Sequence, residues 1–238
     1  MLPIFIVGKP GYSKSLSVHL IYKAMKGSQS TNSLFKTLPK VIMSSYQGSM
    51  GSTSKGVENI FEKARNIIKI YNKEDKNNKK NKNKEKDKDT EKIISMVLFD
   101  GRGLAENSPN NLLKVLHSEL EYDLNESEHN ENKVAFVGIT NWGLDASKMN
   151  RGLFISIPEA DEEDTKNTTF TLGKSFNKVL ADKNKDFLEN LGKIYLNYRH
   201  YLKEKHSLDG KENFHGNRDF YHLVKNIARN MVLKYNNN

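Results

Sequence analysis

The 238-residue chain carries 38 Lys and Arg against 29 Asp and Glu, a net charge of +9, with 36% apolar residues and a mean hydropathy of −0.72. It has no Cys, which excludes disulfides and Cys-ligated zinc from this stretch and suits a reducing, cytoplasmic compartment. No apolar run reaches the roughly 18 residues that a membrane span needs, and the opening "MLPIFIVG" lacks the basic start of a signal peptide.

In chain order, strand-like apolar runs fall at 2–8, 40–45, 93–100, 133–140 and 153–158. Being continuous rather than alternating, they suit strands covered on both faces. Helical patterns lie between them at 15–26, 55–71 and 109–122, with a short one at 145–150. Strand alternating with helix predicts an α/β domain with a parallel five-stranded sheet over 1–158. A chain that begins on a core strand reads as a piece of something longer. After Pro158 the pattern changes to three helical stretches without strands. Phe187, Leu191, Ile194, Tyr195, Tyr198 and Leu202 recur at helical spacing, as do Phe220, Leu223, Val224 and Ile227. This predicts a small helical domain over 159–238.

Residues 72–92 hold nine Lys and six acidic residues. Nothing there can bury apolar area, so the stretch reads as a disordered, dispensable insert. Its Lys are mixed with acids, and no aromatics are interleaved for base stacking. The basic total therefore argues for solvated filler, not for nucleic acid as a partner.

The first strand–helix junction is "VGKPGYSKSLS". A phosphate loop has the form G-x-x-x-x-G-K-[ST] after a strand and before a helix. Gly8, Lys14 and Ser15 fit in spacing and context, while Ser13 occupies the second glycine position. The loop residues Gly8, Lys9, Pro10, Gly11, Tyr12, Ser13, Lys14, Ser15 and Leu16 are therefore candidates for holding ATP or ADP. Backbone N–H groups would cradle the phosphates, Lys14 would reach the β- and γ-phosphates, and the Ser15 hydroxyl would ligate magnesium. Asp100, the last residue of the strand "IISMVLFD", is the second magnesium candidate.

The fourth strand ends in "GITNWGLDASKMNRG", and the helical tail contains "HGNRDFYHLVKNIAR". A strand-tip Asn, an Arg-Gly before the last strand and a Gly-x-Arg opening a late helix together resemble the AAA+ ATPases. The resemblance implies that Asn141 positions water near the γ-phosphate, that Arg151 reaches into a neighbouring unit's site and that Arg218 faces the phosphates from the lid. With "GLAENSPNNLLKVLHSELE" and "GNRDFYHL", the wording resembles the AAA core of the mysterin family, giant RING-type E3 ubiquitin ligases with dynein-like AAA+ units. It implies neighbouring AAA+ units, in the same chain or in other subunits, and ubiquitin-system partners for a parent protein. The RING itself cannot lie in a stretch without Cys.

One departure concerns chemistry. The family pattern places Glu after the strand-end Asp, where it polarises the attacking water, whereas this chain has Gly101. Loss of that carboxylate leaves binding and removes a general-base contribution of roughly 10²–10⁴-fold. Glu106, six residues after Asp100, is the first acid to test as a substitute. The expectation is an ATP-binding module that hydrolyses slowly or not at all. The alternatives are a non-catalytic nucleotide-gated assembly module and, further off, a nucleic-acid motor. Restoring Glu at 101 should raise turnover about tenfold or more, unless Gly is needed there for a positive φ.

Overall fold

A computed structural model describes residues 2–49, 51–81, 92–101, 116, 118–120, 133–141, 152–206 and 215–236, with side chains for all of these except 74–81, 206 and 236. Strands β1 (Ile4–Val7), β2 (Lys40–Gln47), β3 (Ile93–Asp100), β4 (Ala135–Thr140) and β5 (Leu153–Ser156) form one sheet in the order β2-β3-β4-β1-β5. Every ladder is parallel. Helices α1 (Lys14–Ala24), α2 (Ser33–Lys36) and α3 (Ser54–Asn81) accompany the sheet.

Successive side chains of a strand point to opposite faces, and both faces of this sheet are apolar. Phe5, Val97, Phe99 and Phe136 meet Val57, Phe61 and Ala64 of α3 on one side. Ile6, Leu98, Val137 and Ile139 meet Val18 of α1 on the other. Burial on both faces is why these strands read as unbroken apolar runs. Phe5, Phe61 and Phe99 are fully buried, each stabilising by about 1.5–3 kcal/mol relative to exposure. The Arg65 guanidinium forms a two-point ion pair with Glu119, tying α3 to the segment that follows β3.

The chain divides into two compact units, Met1–Lys9 with Ser13–Ile157, and Pro10–Tyr12 with Pro158–Asn238. In the second unit the described residues after Pro158 form α4 (Glu162–Lys174), α5 (Lys178–Lys183), α6 (Lys185–His206) and α7 (Asn217–Asn236). Tyr195 stacks on Phe220 with ring centroids 4.1 Å apart, beside the buried Val224.

Three differences from the sequence reading have physical causes. Strand β2 runs past Ser45 to Gln47 because Tyr46 packs its ring on Phe99, 5.0 Å away. Helix α3 continues past Tyr71 to Asn81, so the first ten residues of the stretch read as a disordered insert are helical. An amphipathic helix already nucleated over 57–68 propagates easily through Lys and Glu, which lose little rotamer freedom in a helix. Among the described residues after Pro158, four helices stand where three were expected. Asn177 caps α5 by accepting from the Leu180 N–H at 3.0 Å, and a single residue, Asn184, separates α5 from α6. Residues 82–91, the short helix at 145–150 and all of 109–122 except 116 and 118–120 lie outside the described residues.

Candidate nucleotide-binding site

The site is built where three neighbouring strands end. The Gly8 N–H donates to the Thr140 carbonyl at 3.3 Å and the Ile157 N–H to the Val7 carbonyl at 2.8 Å, so β1 is held on both sides where the loop begins. A Cβ on Gly8 would come within 3.2 Å of Ile157 Cβ and 3.6 Å of Lys14 Cδ. Glycine here leaves room for the lysine stem. Lys14 is only 6% exposed, and its Nζ donates to the carbonyls of Gly8 at 2.7 Å and Lys9 at 2.8 Å. An ammonium carried among the loop's own carbonyls is placed where a phosphate oxygen would compete for it.

Ser13 adopts φ 55° and ψ 19°, a left-handed conformation, immediately before α1. The backbone therefore does at Ser13 what the motif's second glycine ordinarily does. Ser13 makes no side-chain cap bond, and the first turn of α1 has no acidic residue. Helix α4 differs: Asp161 accepts from the Asp164 N–H at 2.7 Å, and Glu162, Glu163 and Asp164 fill its first turn. The first turn of α1 thus brings no carboxylate of its own to the positive end of the dipole, which leaves its N–H groups to an anion.

Asp100 ends β3, and its Oδ2 accepts the Ser15 hydroxyl at 2.6 Å. The two magnesium candidates, 85 residues apart in sequence, are in contact. A hydroxyl and one carboxylate are hard oxygen donors of the kind magnesium takes in nucleotide sites, where substrate phosphates and water complete the shell. Among the described residues no cluster of three or more His, Cys, Asp or Glu is placed to hold a metal without such help. The donor set therefore fits magnesium bound together with a nucleotide. Asn141, exposed, follows β4 directly, on the strand whose Thr140 holds Gly8.

Gly101 has φ +79°. A Cβ on it would lie 2.8 Å from the Gly48 carbonyl oxygen, and one on Gly48 would lie 2.7 Å from the Gly101 carbonyl oxygen. The two chains close on each other through the Gly48 N–H, which donates to the Asp100 carbonyl at 2.6 Å. Glycine is required at 101 by this backbone. The same place reveals a residue that the sequence reading missed. Gln47 is the ladder partner of Asp100, and its Nε2 lies 3.5 Å from where a Cβ on residue 101 would sit. The apolar run ends at Ser45, so only the packing of Tyr46 could have signalled a strand long enough to carry Gln47.

Arg151, Arg102 and Glu106 lie outside the described residues. Arg218 belongs to the second unit, as the second residue of α7. That unit also counts Pro10–Tyr12 among its residues, and within it Gly11, at φ +86°, lets a hydrogen stand where a Cβ would be 3.1 Å from Asn217 Cβ. Tyr195 donates to Asn217 Oδ1 at 2.9 Å, fixing the first turn of α7.

A model of the family described as "RNF213 AAA domain" matches residues 1–164. The E3 ubiquitin-protein ligase rnf213-beta of Danio rerio is 38% identical over 226 residues, which are 94% of this chain and 4% of that protein. The E3 ubiquitin-protein ligase RNF213 of Homo sapiens is 32% identical over 227 residues, 95% of this chain and 4% of that protein. The chain thus spans about 4% of the length of these relatives. Among solved structures, that of Drosophila ORC bound to DNA superposes with a TM-score of 0.52 at 11% identity, covering 96% of this chain and 55% of that one. It shares the fold, a five-stranded parallel sheet flanked by helices, as in AAA+ ATPases. The sheet order, the loop at the end of β1 and the match over 1–164 agree: the chain belongs to the RNF213, or mysterin, family of AAA+ modules.

Proposed function

We propose that the chain is an ATP-binding AAA+ module that holds Mg-ATP between its phosphate loop and the end of β3 and turns it over slowly. The observation that carries this reading is the Ser15–Asp100 contact at 2.6 Å beside the inward-folded Lys14. Lys14 exchanges loop carbonyls for phosphate oxygens, Ser15 and Asp100 supply oxygen ligands, and the N–H groups at the start of α1 receive the anion. Magnesium, when bound, neutralises charge on the phosphate oxygens. Asn141 is assigned to the water side of the γ-phosphate, Arg218 to the lid and Arg151 to a neighbouring unit, all by the family's pattern.

Slow turnover follows from Gly101, which has no carboxylate to take a proton from water. Its positive φ also favours the second reading, a module in which bound nucleotide orders the assembly and hydrolysis plays no part. Neighbouring AAA+ units are the proposed partners. Leu16 and Leu20 on α1 and Leu153 and Ile155 on β5 are exposed apolar residues, and β5 is an edge strand. Exposed apolar residues and an edge strand favour a covering partner. Ubiquitin-system partners are proposed for the parent protein alone, as is its cytoplasmic location. Among the described residues no helix is long and apolar enough to cross a membrane.

Lys14→Ala tests the assignment. It removes the phosphate-facing ammonium, and titration with a fluorescent ATP analogue should show affinity falling at least about tenfold, the loss of a charge-assisted bond of about 1.5–3 kcal/mol. Unchanged affinity would place the nucleotide elsewhere.

A further inference from the structure

We propose that Gln47, at the end of β2, is the water-orienting residue of this site, standing where the carboxylate missing at 101 would project; the inference rests on the nucleotide-binding reading above. Three observations meet at this point. First, position 101 cannot bear a side chain without strain, since φ is +79° and a Cβ would meet the Gly48 carbonyl oxygen at 2.8 Å. Second, Gln47 and Asp100 are register partners in a parallel ladder, so their side chains leave the same face of the sheet on strands about 4.8 Å apart. Third, the carboxamide of Gln47 comes within 3.5 Å of the point from which a residue-101 side chain would start. The place beside the magnesium-site carboxylate is therefore supplied with a polar group from the adjacent strand. Gln47 is exposed, so water reaches it.

A carboxamide offers one acceptor and two N–H donors, enough to hold a water molecule in line with a γ-phosphate. It cannot accept a proton near neutral pH. Gln serves this orienting purpose in GTPases. In the hydrolysis it would support, the water oxygen forms a bond to the γ-phosphorus as the bond to the β–γ bridging oxygen breaks. The bond's electron pair leaves with ADP. The proton from water passes to an oxygen of the released phosphate, not to Gln47. The rate forgoes general-base assistance while keeping alignment of the nucleophile.

The test uses the full chain with Gln47→Ala and Gln47→Glu. Three quantities are measured: affinity for Mg-ADP, the added affinity conferred by aluminium fluoride, and single-turnover hydrolysis, with melting temperatures alongside. Gln47→Ala should bind Mg-ADP within about twofold of wild type and melt at the same temperature. Its aluminium fluoride increment and turnover should both fall at least about tenfold, the lower range for a positioned catalytic group. Gln47→Glu should raise turnover at least about tenfold and lose that gain as pH falls through the carboxylate range near 4–5. The proposal is overturned if Gln47→Ala keeps its increment, if Gln47→Glu brings no gain, or if wild type binds Mg-ADP and gains nothing from aluminium fluoride. In all three cases nucleotide binding stands. A wild-type chain that binds no nucleotide overturns both.

Discussion

The loop and strand-end edge of the sheet and the helices after Pro158 place their conformational strain differently. Gly11, Ser13, Gly27 and Gly101 are the described residues with positive φ, and three of the four belong to the loop or to the end of β3. The described residues after Pro158 have none. There the helices follow ordinary rules, with Asp161 and Asn177 as side-chain caps. The Gly216 N–H likewise donates to Asp219 Oδ2 at 3.0 Å. Cores formed by regular elements can absorb changes in packing. An edge built from left-handed residues depends on which side chains it lacks. Strain kept at a ligand-facing edge is the usual arrangement where pre-organisation matters more than stability.

Gly101→Glu is the strongest way to break that comparison. The left-handed backbone costs a non-glycine residue about 1–2 kcal/mol, and relieving the overlap with the Gly48 carbonyl adds about 1–3 kcal/mol. We expect a loss of about 3–4 kcal/mol, or a melting temperature lower by roughly 8–12 °C, with no gain in turnover. Turnover and melting are to be measured on one sample. A stable, faster variant would mean that residue 101 can leave its positive φ and that the edge is less constrained than its geometry implies.

The helical unit should lose stability at alkaline pH. Burial pushes the Tyr195 hydroxyl up to about 12, with nearby Arg199 opposing the shift. A phenol that ionises near 10 when unfolded and near 12 when folded favours the unfolded chain only above pH 10. Stability is therefore fully retained below about pH 10 and falls by about 2 kcal/mol as pH rises to 12. Tyr195→Phe keeps the stack on Phe220 and loses the bond to Asn217, costing about 1 kcal/mol at neutral pH. It should flatten most of the alkaline loss, leaving a remainder from Tyr221, whose hydroxyl is also raised by burial. Urea unfolding at pH 8, 10 and 11.5 decides it: an equal alkaline loss in both proteins would mean Tyr195 does not titrate in this way.

What could be read in advance follows the same division. The sheet was legible because both its faces are buried, so Phe5–Ile6 and Val97–Leu98–Phe99 are apolar without alternation. The candidate phosphate loop stood out in the sequence because Gly8, Lys14 and Ser15 keep fixed spacing. Asp100 was legible as the polar residue that stops an apolar strand. Gln47 was not, since its role comes from register with a strand 53 residues later, and spacing along one strand carries no information about register with another. In α6 the helical period was legible but not which side turns inward. Leu188 is 1% exposed, whereas Phe187 is 49% and Ile194 63% exposed. Two adjacent apolar stripes, one through Phe187 and Ile194 and one through Leu188, Tyr195 and Leu202, satisfy the same period, and packing against α4 and α7 selects the second.

Ser13→Gly is the mildest test. Ser13 holds a left-handed conformation, which costs about 1–2 kcal/mol with a Cβ present, and its side chain makes no cap bond that would offset this. Glycine removes the strain but adds freedom to the unfolded chain, at about 0.4–1 kcal/mol. The expected net effect is a gain of about 0.5–1 kcal/mol, a melting temperature higher by roughly 1–4 °C. Ser13→Ala supplies the control, because it keeps the Cβ and deletes the hydroxyl. If strain alone matters, Ala should match Ser while Gly exceeds both, and nucleotide affinity should stay level across the three. If Gly and Ala both lower stability or affinity, the hydroxyl of Ser13 has a task of its own. The serine in the glycine position would then be a working part of the loop, beyond being a residue its backbone tolerates.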